Sequence, residues 1–450
     1  MNSTTLTPMS RSAKSWQQPA GGESDQLIDS VNGSFCPCLA TPSHSFLRYY
    51  MVDGFTRHWR LTMMRPLSSV VFLLLGLAGN SSDAPTTTPV NPPEVTVLQN
   101  SLGQADGLIF IAPKGAGIGG GTQPGPVGPE IVDSSGRVVW FSPVTNGQVA
   151  ADFRVQSYRG KPVLTWAQQS NFGKLAGATS VNYIADDTYH VIATVRAGNG
   201  LNADAHEFLL TPQGTALVTI YDVVTADLSS FGGSKTAQVW EGSIQEIDVA
   251  TGKVIFEWHS LGKVGFDESY WPLPDSSTAA WDYIHINGIA LDDDGNLLLS
   301  ARHTSAVYKL DRHTGEVIWR LGGKKSDFRF APGATFSFQH DPVVAGHNTI
   351  RIFDNEVNPK PVLPGSRVIW LKLDPSAKTA TLIRSLDHPD HLSVLSQGSA
   401  QTLDNGNTFV GWGEPGRFSE FDSNGRMIFD ATLPKGYDTY RAYRFRWPPN

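Results

Sequence analysis

The chain has 450 residues, with 44 glycines, 29 prolines, 17% charged residues and 10% aromatic residues. This composition favours short strands joined by tight turns over long helices. The formal net charge is -7 and no run of basic residues occurs, which excludes a nucleic-acid-binding surface because phosphate binding requires clustered lysines and arginines.

The start of the chain differs in character from the rest. Residues 1–62 are polar and without pattern, and we interpret them as a disordered leader from a mispredicted gene start. Residues 63–79 contain an arginine, a short apolar segment and small residues, a pattern typical of a secretory signal peptide. The apolar segment, 67–78, is shorter than the about 20 residues that span a bilayer. We therefore expect a secreted or lumenal protein, membrane-anchored only if this segment is not cleaved, with a Pro/Thr-rich linker at 80–94.

From about residue 94 onward, a glycine-containing turn followed by an aliphatic-aromatic strand recurs. It is seen in GRVVWF, GKVIFEW, GEVIWRL and GRMIFD, which begin at residues 136, 252, 315 and 425, with weaker copies near 186 and 374. Repeats of this size with several short strands each are typical of β-propellers, because a four-stranded sheet buries its faces only against neighbouring sheets. The sequence predicts an all-β, six-bladed β-propeller over residues 95–450. A β-helix or a pair of sandwiches is the alternative.

The stretch GAGIGGG at 115–121 contains the G-x-G-x-x-G spacing of dinucleotide-binding loops, in Gly115, Gly117 and Gly120. Such a loop must open a helix, and the prolines that follow at 124, 126 and 129 exclude one here. The stretch is predicted to be a loop, and no cofactor is predicted.

A strand-like run, WDYIHINGIA at 281–290, carries alternating polar and apolar residues. Alternation in a strand would place Tyr283, His285 and Asn287 on one face and the isoleucines on the other. We expect this polar row to face the centre of the propeller and to hold an anion.

Four of the twelve histidines occur in distinctive contexts: His206 in ADAHEFLLT, His285 in DYIHINGIA, His303 in SARHTSAVYKL and His340 in FSFQHDPVV. All but His303 begin an apolar run, as the innermost strand of a blade does, so we expect them to converge on the central channel. Arg302 would join them from the next strand of a hairpin. Two histidines lie in the leader, and six are interpreted as surface residues: His190, His259, His313, His347, His388 and His391.

The residue types favour an anion over a metal. No H-x-H or H-x-x-x-H pair is present, and a neighbouring arginine would repel a cation, so no metal site is predicted. Imidazoles, Arg302 and Asn287 offer hydrogen-bond donors and positive charge to an anion. An imidazole with a free nitrogen can also act as a nucleophile. Histidines with a purely structural role are the alternative.

Over residues 282–328 and 336–344 the sequence resembles the arylsulfotransferases that use no nucleotide sulfate donor. The motifs are H-x-N, S-x-R-H-x-S-x-V-x-K and W-R-L-G-G, with looser similarity from about residue 95 to the closing YRAYRFRW. The resemblance implies a six-bladed propeller with its site in the channel. It also implies an aryl sulfate donor and a phenolic acceptor as small-molecule partners, and no cofactor.

The resemblance also implies a role for each candidate residue. His340 would accept the sulfuryl group as a sulfohistidine, which predicts ping-pong kinetics. His206, His285 and Arg302 would hold the sulfuryl oxygens, and Asn287 would assist through its amide. Strand alternation would turn His303 away from the channel, leaving it structural.

Two other functions stay open at this point. The same histidine could pass the group to water, which would make the protein an aryl sulfate hydrolase, although the C-x-P-S-R motif of the usual sulfatases is absent. A secreted propeller that only binds glycan or protein is the second. The aromatic residues Tyr270, Trp271 and Trp281 could stack an aryl ring at the channel mouth, or form a hydrophobic plug.

Overall fold

The computed structural model describes residues 90–117, 123–170, 179–275, 279–358, 360–361 and 365–448. The predicted leader, the signal segment and most of the linker lie outside these residues, as does Gly120 of the glycine-rich stretch. The segments around that stretch contain no helix: Gly115 ends a short strand, Pro113–Gly115, and residues 123–129 are irregular.

Within the described residues, antiparallel sheets are arranged as the six blades of a β-propeller, which confirms the predicted fold. Blades 2, 3 and 4 are each continuous in sequence and have four strands, given from the channel outward. Blade 2 has Gln148–Tyr158, Lys161–Ser170, Thr179–Ala185 and Val191–Val195. Blade 3 has Ala203–Leu210, Thr215–Ala226, Ala237–Asp248 and Val254–His259. Blade 4 has Ile286–Leu291, Leu297–Ala301, Ala306–Leu310 and Val317–Gly322.

Blades 5, 6 and 1 contain additional or exchanged strands. Blade 5 has His340–Val344, Thr349–Asp354, Arg367–Asp374 and Thr379–Asp387, with Arg329–Phe330 added in parallel at the outer edge. Blade 6 has Ser399–Thr402, Thr408–Gly411, Arg417–Phe421 and Met427–Thr432, with Thr96–Asn100 outermost. Blade 1 has Tyr443–Phe445, Leu108–Ile111, Glu130–Val132 and Val138–Phe141.

Both ends of the described chain close the ring. The last strand, Tyr443–Phe445, is the innermost strand of blade 1, and the first, Thr96–Asn100, is the outermost strand of blade 6. Blades 6 and 1 are therefore each completed by a segment from the opposite end of the chain. Closure of this kind covers edges that would otherwise be open to pairing with another chain.

The repeated sequence pattern has one structural meaning. In all six blades it is the fourth strand counted from the channel, for example Val138–Phe141 in blade 1 and Val317–Gly322 in blade 4. The two weaker copies supply the fourth strands of blades 2 and 5. The glycine before the strand adopts a positive φ at 136, 252, 315 and 425, a turn conformation that glycine allows at little cost.

Six apolar clusters fill the six spaces between neighbouring blades. Between blades 3 and 4, for instance, Ile244 and Leu217 pack with Ile289 and Leu299, all fully or almost fully buried. Burying one such side chain stabilises the fold by about 1.5–3 kcal/mol. Each blade therefore depends on its neighbours, and the channel walls are held rigidly.

Short ribbons and turns complete the described fold. Two ribbons pair Pro113–Gly115 with Tyr437–Thr439 and Val357–Asn358 with Lys360–Pro361. Two 3-10 turns span Ser229–Phe231 and Phe266–Glu268, and the described residues contain no α-helix. Among the residues that the structure describes, no helix is long and apolar enough to cross a membrane.

Candidate functional site

Three of the four singled-out histidines lie at the innermost strands of consecutive blades. His206 is in the first strand of blade 3, His285 directly precedes that of blade 4, and His340 begins that of blade 5. The ring centroids of His206 and His285 are 5.0 Å apart. The Tyr440 ring lies 5.7 Å from the ring of His206 and 6.2 Å from that of His340, so one tyrosine bridges the set. The propeller thus brings together residues that are 134 positions apart in sequence.

The hydrogen bonds of His340 determine its tautomer. The Asn355 amide nitrogen donates to two backbone carbonyls, of Val394 and Gln397, so its Oδ1 must face the imidazole. His340 Nδ1 lies 2.7 Å from that oxygen and must carry the proton. The lone pair is therefore on Nε2, which accepts the Gln397 backbone N–H at 3.1 Å.

Two carboxylates orient the other two imidazoles. Asp204 contacts Nδ1 of His206, and Asp282 contacts Nδ1 of His285. Nε2 of each ring has no hydrogen-bond partner among the described residues. The side chains of His206 and His285 are 18% and 19% exposed, whereas His340 is 1% exposed, so solvent reaches the site past the carboxylate-linked pair.

Arg302 is a buried cation without an acidic partner. Its side chain donates from Nη1 to His303 Nε2 at 2.9 Å and from Nη2 to the Leu395 carbonyl at 2.8 Å. Its Nε–H has no partner, and among the described residues no carboxylate lies within ion-pair distance of it. The guanidinium also lies 4.7 Å from the ring centroid of Phe338. This arrangement leaves a positive charge, 93% withdrawn from water, without an ion-pair partner, and Asp282 and Glu414 act on it only from a greater distance.

The prediction that alternation turns His303 away from the site was wrong. The second strand of blade 4 ends at Ala301, and Arg302 to Ser305 form a turn with a positive φ at Ser305. Adjacent side chains in a turn can point the same way, and here His303 contacts Arg302 directly. His303 Nδ1 donates to the Asp282 carbonyl at 2.6 Å, so its Nε2 is the acceptor for Arg302.

The prediction that Tyr283 shares a face with His285 was also wrong. The innermost strand of blade 4 begins only at Ile286, and His285 has a φ of 52°, which reverses the chain before the strand. Tyr283 is fully buried in the core between blades 3 and 4, where its hydroxyl donates to Ser260 Oγ at 2.8 Å. It does not line the channel.

Asn287 lies in the strand and links blade 4 to blade 5. Its Nδ2 donates to the backbone carbonyl of Gln339 at 2.7 Å. Gln339 is the residue directly before His340 in the chain. The neighbouring Gly288 allows this approach, since a Cβ there would lie 3.0 Å from Pro342 Cδ. The resemblance implied that this amide nitrogen assists at the sulfuryl group, but it is hydrogen-bonded to the backbone beside His340. The amide oxygen, Oδ1, is buried without a hydrogen-bond partner.

Burial and Arg302 set the protonation states in the site. Burial, together with the Arg302 charge, holds the pKa of His340 well below its usual range. Burial also lowers the pKa of His285, against the opposing effect of Asp282. The pKa of His303 falls to about 3 and that of Arg302 to about 10, both mainly through burial. Three neutral imidazoles beside one cation are the expected state near neutral pH.

Asp282, His285 and His303 also form a set that could hold a metal ion, because their ligand atoms lie within 4.8 Å of one another. Both imidazoles donate Nδ1 hydrogens to Asp282, one to its carboxylate and one to its carbonyl. The other nitrogen of His303 already accepts from the Arg302 guanidinium. A cation would have to displace these hydrogens and lie next to a positive charge, so the donor set fits a hydrogen-bonded network better than a metal centre.

The predicted aromatic residues have different positions. Trp271 is 43% exposed and stacks on His303, with centroids 4.4 Å apart and planes 4° from parallel. Tyr270 is also partly exposed, and its backbone N–H donates to the His303 carbonyl. Trp281 is buried in the core between blades 3 and 4, and its indole N–H donates to the Trp271 carbonyl. It is therefore not available at the surface.

One histidine interpreted as a surface residue is buried. His388 is 1% exposed, and its ring meets Trp412 edge-on at 5.3 Å. Its Nε2 lies 3.5 Å from Asp430. Asp430, which lies in the fourth strand of blade 6, is the acidic neighbour of this buried ring. The two residues are distant in sequence, so no local pattern predicts the pairing.

Sequence reasoning missed the residues that orient the imidazoles. Asp204 and Asp282 precede their histidines by two and three positions, so the D-x-H and D-x-x-H spacings were visible signals. Asn355 is 15 positions from His340, at the end of the neighbouring strand of blade 5, and nothing local marks it.

Comparison with known protein families gives one match. A family model described as Arylsulfotransferase (ASST) matches residues 154–433, more than half of the chain. No curated protein matches the chain.

Similarity to solved structures is weak. A protein of unknown function from Bacteroides caccae is 12% identical, with a TM-score of 0.42 over 72% of this chain and 93% of that one. Virginiamycin B lyase from Staphylococcus aureus is 10% identical, with a TM-score of 0.35 over 75% of this chain and 88% of that one. Similarities of this size carry no functional argument.

Proposed function

Because this chain belongs to the arylsulfotransferase family, we propose that it transfers a sulfuryl group from an aryl sulfate to a phenolic acceptor through a sulfohistidine on His340. The observation that carries the proposal is Arg302, a buried guanidinium with no carboxylate within ion-pair distance among the described residues. A charge in this state favours a bound anion, because removing a charge from water is costly unless another charge compensates it. A sulfate ester supplies that charge, and its oxygens can accept hydrogen bonds from the N–H groups that Arg302 leaves unpaired.

The tautomer of His340 supports its role as nucleophile. Its Nδ1 proton is fixed by Asn355, so the lone pair is on Nε2. A depressed pKa keeps this nitrogen unprotonated near neutral pH, which a nucleophilic imidazole requires. The Gln397 N–H that now contacts Nε2 has to give way to the sulfur atom, and it is then close to the sulfuryl oxygens.

The reaction has two displacements at sulfur. In the first, the Nε2 lone pair forms the N–S bond, the S–O(aryl) bond breaks, and its electron pair leaves with the aryl oxide. In the second, the oxygen of the acceptor phenol attacks sulfur, the N–S bond breaks, and its electron pair returns to Nε2. Charge spreads over the sulfuryl oxygens in a loose transition state, as in phosphoryl transfer, so the Arg302 cation lowers both barriers.

His206 and His285 are placed to carry the proton. In each, Nδ1 is hydrogen-bonded to an aspartate, which leaves Nε2 as the nitrogen that can exchange a proton with a substrate. Neutral His285 accepts the acceptor's phenolic proton on Nε2, and the Asp282 carboxylate stabilises the imidazolium that forms. The aryl oxide released in the first displacement takes a proton from solvent, and the His285 imidazolium formed in the second returns its proton to solvent, so one phenol is released for each phenol consumed.

The proposal is tested by mass spectrometry of the purified protein after brief exposure to 4-nitrophenyl sulfate. We expect a sulfuryl adduct on a His340 peptide, one nitrophenol released per adduct, and loss of the adduct when phenol is added. His340→Ala should form none. The exposed His313→Ala serves as the matched control and should behave as wild type.

Three outcomes separate the alternatives. Nitrophenol release that persists in His340→Ala would refute a sulfohistidine on this residue. An adduct that decays equally fast with and without phenol would indicate hydrolysis. No adduct and no nitrophenol from several aryl sulfates would favour a propeller that only binds.

A further inference from the structure

The contacts of His303 point to a role that the proposed function does not include. His303 is adjacent to Arg302 in sequence and buried to 97%, yet it offers no free nitrogen to a substrate. Its Nδ1 hydrogen goes to the Asp282 carbonyl, and its Nε2 lone pair accepts from Arg302. Both nitrogens are occupied, so the ring is a connector between two groups of the site.

Aromatic rings also pack against the His303 ring. Trp271 covers one face of the ring in a parallel stack at 4.4 Å, and the ring of His285 lies 4.6 Å away. Burial lowers the pKa of His303 to about 3, so its Nε2 stays an acceptor throughout the neutral range. An imidazolium there would face the guanidinium with a second positive charge and could not accept its hydrogen.

Arg302 needs such a support because few other groups hold it. Apart from the bond to His303, its guanidinium has one polar contact among the described residues, the Leu395 carbonyl. A guanidinium with no carboxylate partner and an unpaired Nε–H could otherwise rotate away from the anion. The two bonds to its terminal nitrogens define the plane of the group, so its remaining N–H groups keep a fixed direction.

We propose that His303 is a positioning residue that fixes the Arg302 guanidinium for the sulfuryl group without touching the substrate. Asp282 is the shared anchor, since its carboxylate orients His285 while its carbonyl orients His303. One residue thus fixes both the proton carrier and the cation. This inference rests on the proposed function, because it assumes that Arg302 holds a sulfuryl group.

Two amide substitutions that differ by one methylene test the inference. In His303→Gln the amide oxygen reaches approximately the place of Nε2 and can accept from Arg302, whereas in His303→Asn it is too short to do so. We expect the single-turnover rate of His340 sulfation to fall about 10²-fold in His303→Asn, the scale of a 1 Å misplacement. His303→Gln should retain most of the rate. Thermal unfolding midpoints of both variants are measured in parallel.

A second measurement separates positioning from structural damage. In an Arg302→Ala background, His303→Asn should cause almost no further loss, because the residue acts only through the arginine. An equal loss in both backgrounds, or an equal loss in the Gln and Asn variants, would overturn the inference. His313→Asn at an exposed turn is the control for removing a histidine.

Failure of the proposed function would be visible separately. If wild type forms no adduct on His340, the same variants are compared for binding of inorganic sulfate by calorimetry. Weaker binding in His303→Asn than in His303→Gln would still support positioning of Arg302. Equal binding in the two would refute it.

Discussion

Two buried arginines near the channel axis have opposite surroundings. Arg441 is almost fully buried and donates to Glu207 at 2.9 and 3.1 Å and to Asp152 at 3.0 Å. Arg302 is almost as buried, but its contacts are an imidazole and a backbone carbonyl. In both residues the Nε–H is unpaired, and the main difference is that Arg441 has carboxylate partners and Arg302 has none within ion-pair distance among the residues that the structure describes.

The pKa values follow this difference. Burial alone would lower the pKa of Arg441, but Glu207 and the other acidic groups around it outweigh burial, and the pKa lies well above its usual range. For Arg302 burial prevails, and the pKa falls to about 10. Arg441 forms ion pairs with residues of blades 2 and 3 and so has a structural role; we call it the closed cation. Arg302 has no ion-pair partner in the described part of the chain, and we call it the open cation. A buried cation without an ion-pair partner indicates a place where an anion can bind.

Arg441→Met should have the largest effect, and on stability. It leaves Glu207 and Asp152 buried with fewer positive partners, which we expect to lower the free energy of unfolding by about 3–5 kcal/mol. Denaturant unfolding measures it. Arg446→Met, which breaks an exposed ion pair with Asp106, is the matched control and should change stability by less than about 1 kcal/mol. Equal effects of the two substitutions would contradict the comparison.

Arg302→Gln should have the next largest effect, and on the reaction. We expect the rate of His340 sulfation to fall about 10²–10³-fold, the scale for loss of one preorganised donor. The unfolding midpoint should stay the same or rise, because a buried charge without a partner is removed. Single-turnover kinetics and thermal unfolding check the two parts. A fall in stability like that of Arg441→Met would make Arg302 structural.

Glu130 extends the comparison to a buried acidic group without a hydrogen-bond partner. Unlike an arginine, a carboxyl group can become neutral by binding a proton. Both carboxyl oxygens are buried without hydrogen-bond partners, and burial raises the pKa to about 8, from 4.5. Between these values the folded state keeps a proton that the unfolded state releases, so stability falls as pH rises through this window and is level above it. Arg302 cannot discharge in this way.

Glu130→Gln should remove that pH dependence. We expect stability nearly equal to wild type near pH 4.5, where the folded-state carboxyl is neutral like the amide, and a gain of roughly 4 kcal/mol at pH 8. Denaturant unfolding at several pH values measures it, with the exposed Glu94→Gln as control. A parallel shift at all pH values would show that Glu130 is not protonated in the folded protein.

The smallest expected effect is the pH dependence of the first half-reaction. Burial and the Arg302 charge keep His340 neutral, so between pH 6.5 and 8 the rate of adduct formation should change by less than about twofold. In Arg302→Gln one of these causes is gone, and the midpoint of the profile should move upward toward 6.5. A wild-type midpoint at 6.5 or above would contradict the environment described for His340.

The sequence determined the fold and the composition of the site. Six copies of one turn-and-strand pattern required six similar sheets, and each copy is the fourth strand of a blade. Apolar runs after His206, His285 and His340 marked the innermost strands because those strands are buried on both faces. The local pattern is sufficient to predict the fold, because each of the six blades packs against its neighbours in the same way.

Tertiary structure decided which way the side chains point and how the imidazoles are held. Alternation failed at Tyr283 and His303 because neither lies in a strand: a reversed backbone at His285 and a turn after Ala301 interrupt the period of two. The carboxylate partners of Arg441 come from other blades, and Arg302 has one neighbour in sequence and one distant carbonyl as partners. Whether a buried charge is paired depends on residues distant in sequence, so only the folded propeller could distinguish the open cation from the closed one.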